Sequence, residues 1–233
     1  MIRKIFCSAA KHTAVFAVVL FLLWLLLFLS ALIPNDMIRD NMEQSALSYK
    51  ERTAFEFADG KKLNSVADHY ADSIWLNVSW NMGEDSPLIS SIRTNYYDGG
   101  ELGVNAGLYL SVTQGTEPNK DYTRYWHGTV MFIRLGHLIT DVEGVKLIGF
   151  IAFLLLVGLT IFILARKRHW DLAVILALSL AAVQIWNIRL SMEYQPGFIL
   201  AFVLVPLFLI LERRDDKWLT ILSVVSGTAV AFF

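Results

Sequence analysis

A chain of 233 residues that is 55% hydrophobic and only 18% charged is too apolar for an ordinary soluble domain. Its formal net charge of −1 leaves no basic footprint, which excludes a nucleic-acid-binding role. The single cysteine, Cys7, excludes an intrachain disulfide and reads as an interfacial thiol or, alternatively, an acylation site.

In chain order, the first apolar run covers residues 13–33 and follows Arg3, Lys4 and Lys11. It is longer than a signal-peptide core, and "FLSALIPND" is a poor cleavage site, so an uncleaved membrane anchor is expected. Residues 49–57 mix aromatic and β-branched side chains with charge, and "ADGKK" reads as a turn. Residues 64–80 predict a helix, "YYDGGELG" a loop, and residues 121–139 a second helix that leads into the run 145–165. Further runs cover 172–188, 198–211 and 218–233, shorter or interrupted by Gln184, Pro206 and Gly227.

The basic loops "RKRHW" and "ERRDDKW" belong with the N-terminus on the cytoplasmic side, which puts residues 34–144 outside. The expected fold class is an all-α, multi-pass integral protein of the cell membrane with about five transmembrane helices. Residues 1–33 form the cytoplasmic N-terminus and first span, 34–144 a large extracytoplasmic loop with interfacial amphipathic helices, and 145–233 the remaining bundle. Because the chain stops at "TAVAFF" inside an apolar run, truncation is expected.

The chemistry-bearing residues lie in the outer segment. On a helical wheel, Ser65, Asp68, Asp72 and Ser79 share one side and Ala67, Ala71, Ile74 and Val78 the other. That pattern predicts a surface-lying amphipathic helix flanked by Trp75 and Trp80. The structural account of Asp68 is a capping box with Ser65 as N-cap. It leaves Asp72 unexplained, because like charges one turn apart repel. In the second predicted helix, Arg124, His127 and Arg134 fall within one arc, suited either to lipid headgroups or to a phosphate.

The pair of motifs "DHYADSIWLN" and "YTRYWHG", with a large first outer loop, resembles the membrane-embedded glycosyltransferases of the GT-C superfamily. More narrowly it resembles multi-pass bacterial proteins, mostly Gram-positive, bearing Asp-x-Tyr-x-Asp and Tyr-x-Arg-Tyr-Trp-His-Gly. The resemblance covers roughly residues 10–190. It implies a GT-C-like fold and sugar transfer from a polyprenyl-phosphate donor to a glycan or lipid acceptor at the outer membrane face. It makes Asp68 the expected catalytic base, Asp72 a partner that positions the acceptor or holds a divalent metal, and Asp36, nearer the first span, a third candidate. Arg124, His127 and Arg134 are the expected phosphate contacts, with Tyr125 and Trp126 of the same motif as donor contacts. The competing expectations are a non-catalytic membrane subunit and a transporter or flippase for a lipid-linked saccharide.

Other features carry less. His69, His127 and His137 have no zinc-ligand spacing. The sequon "NVS" at Asn77 falls within a predicted helix, and Glu193 in "SMEYQPG" reads as a solvated loop acid or as a neighbour of the same site. Gln184, Asn187 and Arg189 are candidate substrate contacts at the outer end of the third span. No P-loop, dinucleotide fingerprint or Gly-x-Ser-x-Gly elbow occurs.

Overall fold

The computed structural model describes residues 2–60, 65–83, 86–124, 126–211 and 216–233, with side chains from residue 8 onward. The side chain of Cys7, the residue Tyr125, the lysines of "ADGKK" and residues 212–215 of the "ERRDDKW" loop lie outside the described residues.

Helix α1 (Ile2–Ala31) and helix α7 (Val142–Arg166) contain the two stretches long and apolar enough to cross a membrane, Ser8–Ala31 and Val142–Arg166. Between and after them lie α2 (Asn35–Tyr49), α3 (His69–Asn81), α4 (Pro87–Ser90), α5 (Gly103–Gln114), α6 (Val130–His137), α8 (Trp170–Ala182), α9 (Gln195–Leu211) and α10 (Asp216–Phe232). Helices α8 and α9 are apolar but shorter than a perpendicular span requires.

Helix α7 packs against α8 and α9, α9 against α10, and α10 against α1. Phe153 of α7 is completely buried and meets the Phe202 ring edge-on, with centroids 5.3 Å apart. The outward faces stay apolar: Leu155 is 70% exposed, Phe162 60% and Phe21 55%. So large a continuous apolar surface is suited to lipid rather than water.

The predicted third run, 172–188, does not remain one helix. Helix α8 ends at Ala182, Gln184 adopts a left-handed φ of 54°, and Ile185–Leu190 continues as a 3-10 turn. The polar sequence "QIWNIR" withdraws the continuous apolar surface that would reward a longer helix.

The segment between α1 and α7 is built around α3. Almost every side chain of this helix is buried, against α2, α5 and α6. That corrects the expectation of a surface-lying amphipathic helix. The polar residues of α3 are satisfied internally: Ser73 Oγ donates to Asn105 Oδ1 at 2.8 Å, and Asn77 donates to the Tyr97 carbonyl at 3.1 Å while accepting from the Tyr97 N–H at 3.2 Å. Asn77, the sequon residue, is therefore buried. Leu76, Leu108, Ile38, Met42 and Ile133 complete the core from four helices.

Two short antiparallel strand pairs interrupt the all-helical pattern. Strands β1 (Phe55–Phe57) and β2 (Val66–Asp68) pair with Phe55 opposite Asp68, and β3 (Asn95–Tyr96) and β4 (Lys120–Asp121) pair with Tyr96 opposite Lys120. Strand β2 lies where the first helix was predicted to start, and β4 ends where the second was predicted to begin. Helix α3 begins at His69 rather than near residue 64, and α6 covers only Val130–His137 of the predicted 121–139. Strands of two or three residues are too short for a period-2 signature, so the helical period read across them.

Candidate functional site

A cleft of about 510 Å³ opens where the two strand pairs meet the turn at residues 191–194. Its charged lining includes Asp68, Arg124 and Glu193, and its walls are aromatic: Tyr70, Trp75, Tyr96, Tyr122 and Tyr194. Tyr122 packs against Trp75 with ring centroids 5.2 Å apart and against Tyr96 at 6.3 Å.

Each functional side chain arrives from a different element. Asp68 ends β2 and serves as N-cap of α3, its Oδ1 accepting from the Ala71 N–H at 2.8 Å. Ser65 does not have that role. Its hydroxyl donates to the Asp59 carbonyl at 3.0 Å and closes the turn after β1. Arg124 follows β4, in a segment held by the Tyr122 N–H donating to the Thr94 carbonyl at 2.9 Å. Glu193 comes from the turn between the 3-10 segment and α9 and is half-buried. Burial first, and then the nearby Asp68 and Asp72, push the Glu193 carboxyl above its ordinary pKa, while Arg124 pulls it down. Burial and the carboxylates of Glu193, Asp68 and Asp72 likewise raise the Tyr194 phenol.

Asp72 does not share this cleft. Its side chain is fully buried, and its Oδ2 accepts from Lys146 Nζ at 2.9 Å and from the Tyr49 hydroxyl at 3.0 Å. Its Oδ1 accepts from the Met192 N–H at 2.7 Å and from Ser191 Oγ at 3.1 Å. Burial, and then the Asp72 charge, raise the Tyr49 phenol far above its ordinary range. The two aspartates therefore diverge: Asp68 precedes the first helical residue and turns outward, whereas Asp72 turns into the core.

Arg134 is also spoken for. It is completely buried, and its guanidinium donates to the carbonyls of Ser30, Ile33 and Ser79 and to Asn35 Oδ1. The carbonyls at the end of α1 have no partner within their own helix, and a cation there complements the helix dipole. The arginine thus closes α1 onto α2, α3 and α6, and is not placed to hold a ligand phosphate.

His127 is buried, its Nε2 lying 3.2 Å from the Ser91 carbonyl, and burial lowers its pKa to about 4. Together with Trp126 and Arg124 it lines a neighbouring cavity of about 360 Å³. Trp126 stacks on His127 and leans on Phe232. A Cβ on Gly128 would fall 2.4 Å from the Phe232 ring, so the "WHG" sequence fits close packing against α10. Asp36 lies at the protein surface, 86% exposed in its side chain, and pairs with Arg39 at 3.0 Å. Tyr125 lies outside the described residues.

Of the residues expected from sequence, Asp68 and Arg124 come together in one cleft, joined by Glu193. Lys146 and Tyr49 gave no sign of a role, although a lysine at the head of an apolar run is a signal of a buried partner. Among the described residues, no three His, Cys, Asp or Glu side chains gather to hold a metal ion. No protein-family model, curated protein or solved structure matches the chain.

Proposed function

We propose that the chain is a multi-pass membrane glycosyltransferase whose active site is the cleft of Asp68, Glu193 and Arg124. In this proposal the N-terminus is cytoplasmic and the cleft faces outward. A sugar passes there from a polyprenyl-phosphate donor to a glycan or lipid acceptor.

The observation that carries it is the meeting of the Asp68, Asp121 and Glu193 carboxylates with Arg124 and Lys120 in one aromatic-walled cleft of about 510 Å³. Such a volume suits a small ligand. Flat aromatic faces suit the apolar face of a sugar ring, and carboxylates suit its hydroxyls. Glu193 takes the proton from the acceptor hydroxyl as that oxygen bonds to the anomeric carbon. The bond from that carbon to the phosphate oxygen breaks, and the leaving phosphate keeps its electron pair beside Arg124. A carboxyl whose pKa is raised above the ordinary value is a stronger base than a solvated carboxylate. Asp68, with one oxygen engaged at Ala71, orients the acceptor and keeps Glu193 basic.

Transfer of radiolabelled sugar from a polyprenyl-phosphate donor in membranes provides the test. Glu193→Gln and Arg124→Gln should each lower transfer by about 10²-fold or more while the protein still inserts in the membrane. Full transfer in Glu193→Gln would remove the catalytic role. A specific observation favours a second proposal, a non-catalytic binding subunit: the Asp68 bond to Ala71 is an ordinary helix cap. Saccharide binding without transfer would support that alternative.

A further inference from the structure

We propose that Asp72 and Lys146 are positioning residues: their buried ion pair docks the turn at residues 191–194 and so holds Glu193 in the cleft. The proposal deepens the transferase assignment and depends on it only for what Glu193 does once held.

One carboxylate faces two ways. Through Oδ1 Asp72 grips the turn, at the Met192 N–H (2.7 Å) and the Ser191 hydroxyl (3.1 Å). Through Oδ2 it is anchored to the first turns of α7 by Lys146 (2.9 Å) and to α2 by Tyr49 (3.0 Å). Both ion-pair side chains are withdrawn from solvent, Asp72 entirely and Lys146 to 4% exposure. Nearby charges are Glu143, 3.8 Å from Lys146, and Arg52, 3.6 Å from Glu143, both partly solvated.

The turn is short, so the grip reaches Glu193 through a single residue. Ser191 Oγ, while donating to Asp72, accepts from the Glu193 N–H at 3.3 Å. A second clamp lies just beyond: Gln195 donates to the Lys146 carbonyl at 3.1 Å. A Cβ on Gly149 would fall 2.0 Å from Gln195 Oε1, so a larger residue there would push the Gln195 amide aside. The turn that carries Glu193 is therefore fastened to the first turns of α7 at two points. A buried ion pair contributes little net stability compared with an apolar pair of the same size. What it supplies is direction: two of the Asp72 contacts grip the turn and two anchor it to α7 and α2.

The test measures the position of residue 193 without any turnover. In the full chain with Cys7→Ser, Glu193→Cys is the only thiol, and its labelling by a membrane-impermeant maleimide is followed in isolated membranes. A parallel chain carries Cys7→Ser and Leu108→Cys, a reporter in the fully buried core. Lys146→Met should speed labelling at position 193 about tenfold, by local opening, and leave position 108 protected. Ser191→Ala should speed it a few-fold, roughly the loss of one hydrogen bond. Ser191→Thr, whose β-branch suits the extended backbone there, should restore the parent rate.

If Lys146→Met fails to fold, Asp72→Asn/Lys146→Met replaces it, because the neutral pair leaves no buried charge unpaired. It should still speed labelling at 193 and not at 108. An unchanged rate at 193, or acceleration at both positions together, overturns the proposal. Transfer by Glu193→Gln bears on the transferase assignment, and the labelling rates bear on the ion pair, so the two can fail separately.

Discussion

Asp68 and Asp72 are four residues apart and equally polar, yet they have opposite surroundings. Asp68 lies before the first residue of α3 and lines a cleft, whereas Asp72 lies within the first turn and is fully buried against Lys146. Arg124 and Arg134 repeat the contrast. Arg124, in the segment after β4, lines the cleft, and Arg134, inside α6, is completely buried among carbonyls. In each pair, the residue that precedes the helix lines the cleft, and the one inside it is buried among partners from other elements. The helix interior turns its polar side chains into the core, where each needs an internal partner.

The largest effect expected from breaking that contrast is on stability. Asp72→Ala leaves Lys146 buried without its partner and should cost about 3–5 kcal/mol, measured by thermal unfolding in detergent. If its loss matched that of a surface substitution, the buried pair would have no structural role. Arg134→Met abandons four acceptors at the junction of α1, α2, α3 and α6, with an expected cost of about 3 kcal/mol or more. A Tm unchanged in this variant would show that the end of α1 finds other partners.

The next effect is pH dependence. His127 and His137 have folded-state pKa values lowered by burial to about 4, so both are neutral in the folded protein near neutrality. The unfolded chain binds these protons at about pH 6.5 and the folded chain does not. Stability should therefore be full above about pH 6.5, fall as the pH drops toward about 4, and level off below that. A Tm that did not fall between pH 6.5 and pH 4.5 would contradict the burial of both rings.

The smallest expected effect is at the cap. Asp68→Ala should cost only about 1 kcal/mol of stability, the ordinary value of a side-chain N-cap. On the transferase proposal, the same change should lower transfer far more than stability. It should also move the acid limb of the pH–rate profile back toward the ordinary carboxylate range, because Asp68 is one of the groups that raise Glu193. Equal small effects on both properties would reduce Asp68 to a cap.

The outline of the molecule was legible in the sequence because burial of apolar side chains depends on composition over long windows. The runs at 13–33 and 145–165 correspond to α1 and α7. Helices α2 and α5 were not legible. The sequence of α2 is largely polar, and α5 begins with glycine at a φ of +81°, which reads locally as a loop. The misplaced start of α3 has a local cause: a strand as short as β2 carries no alternation that a periodicity argument can detect.

Sequence by itself determined that two stretches are long and apolar enough to span a membrane, and that the carboxylates and arginines of the outer segment needed an account. It could not determine which of them share a cleft. That depends on contacts between residues more than a hundred positions apart, such as Asp72 with Ser191 and Met192. Local propensity carries no information about such pairings. Only the packing of α3 against the turn before α9 decided that Asp72 is structural and that Glu193 joins Asp68.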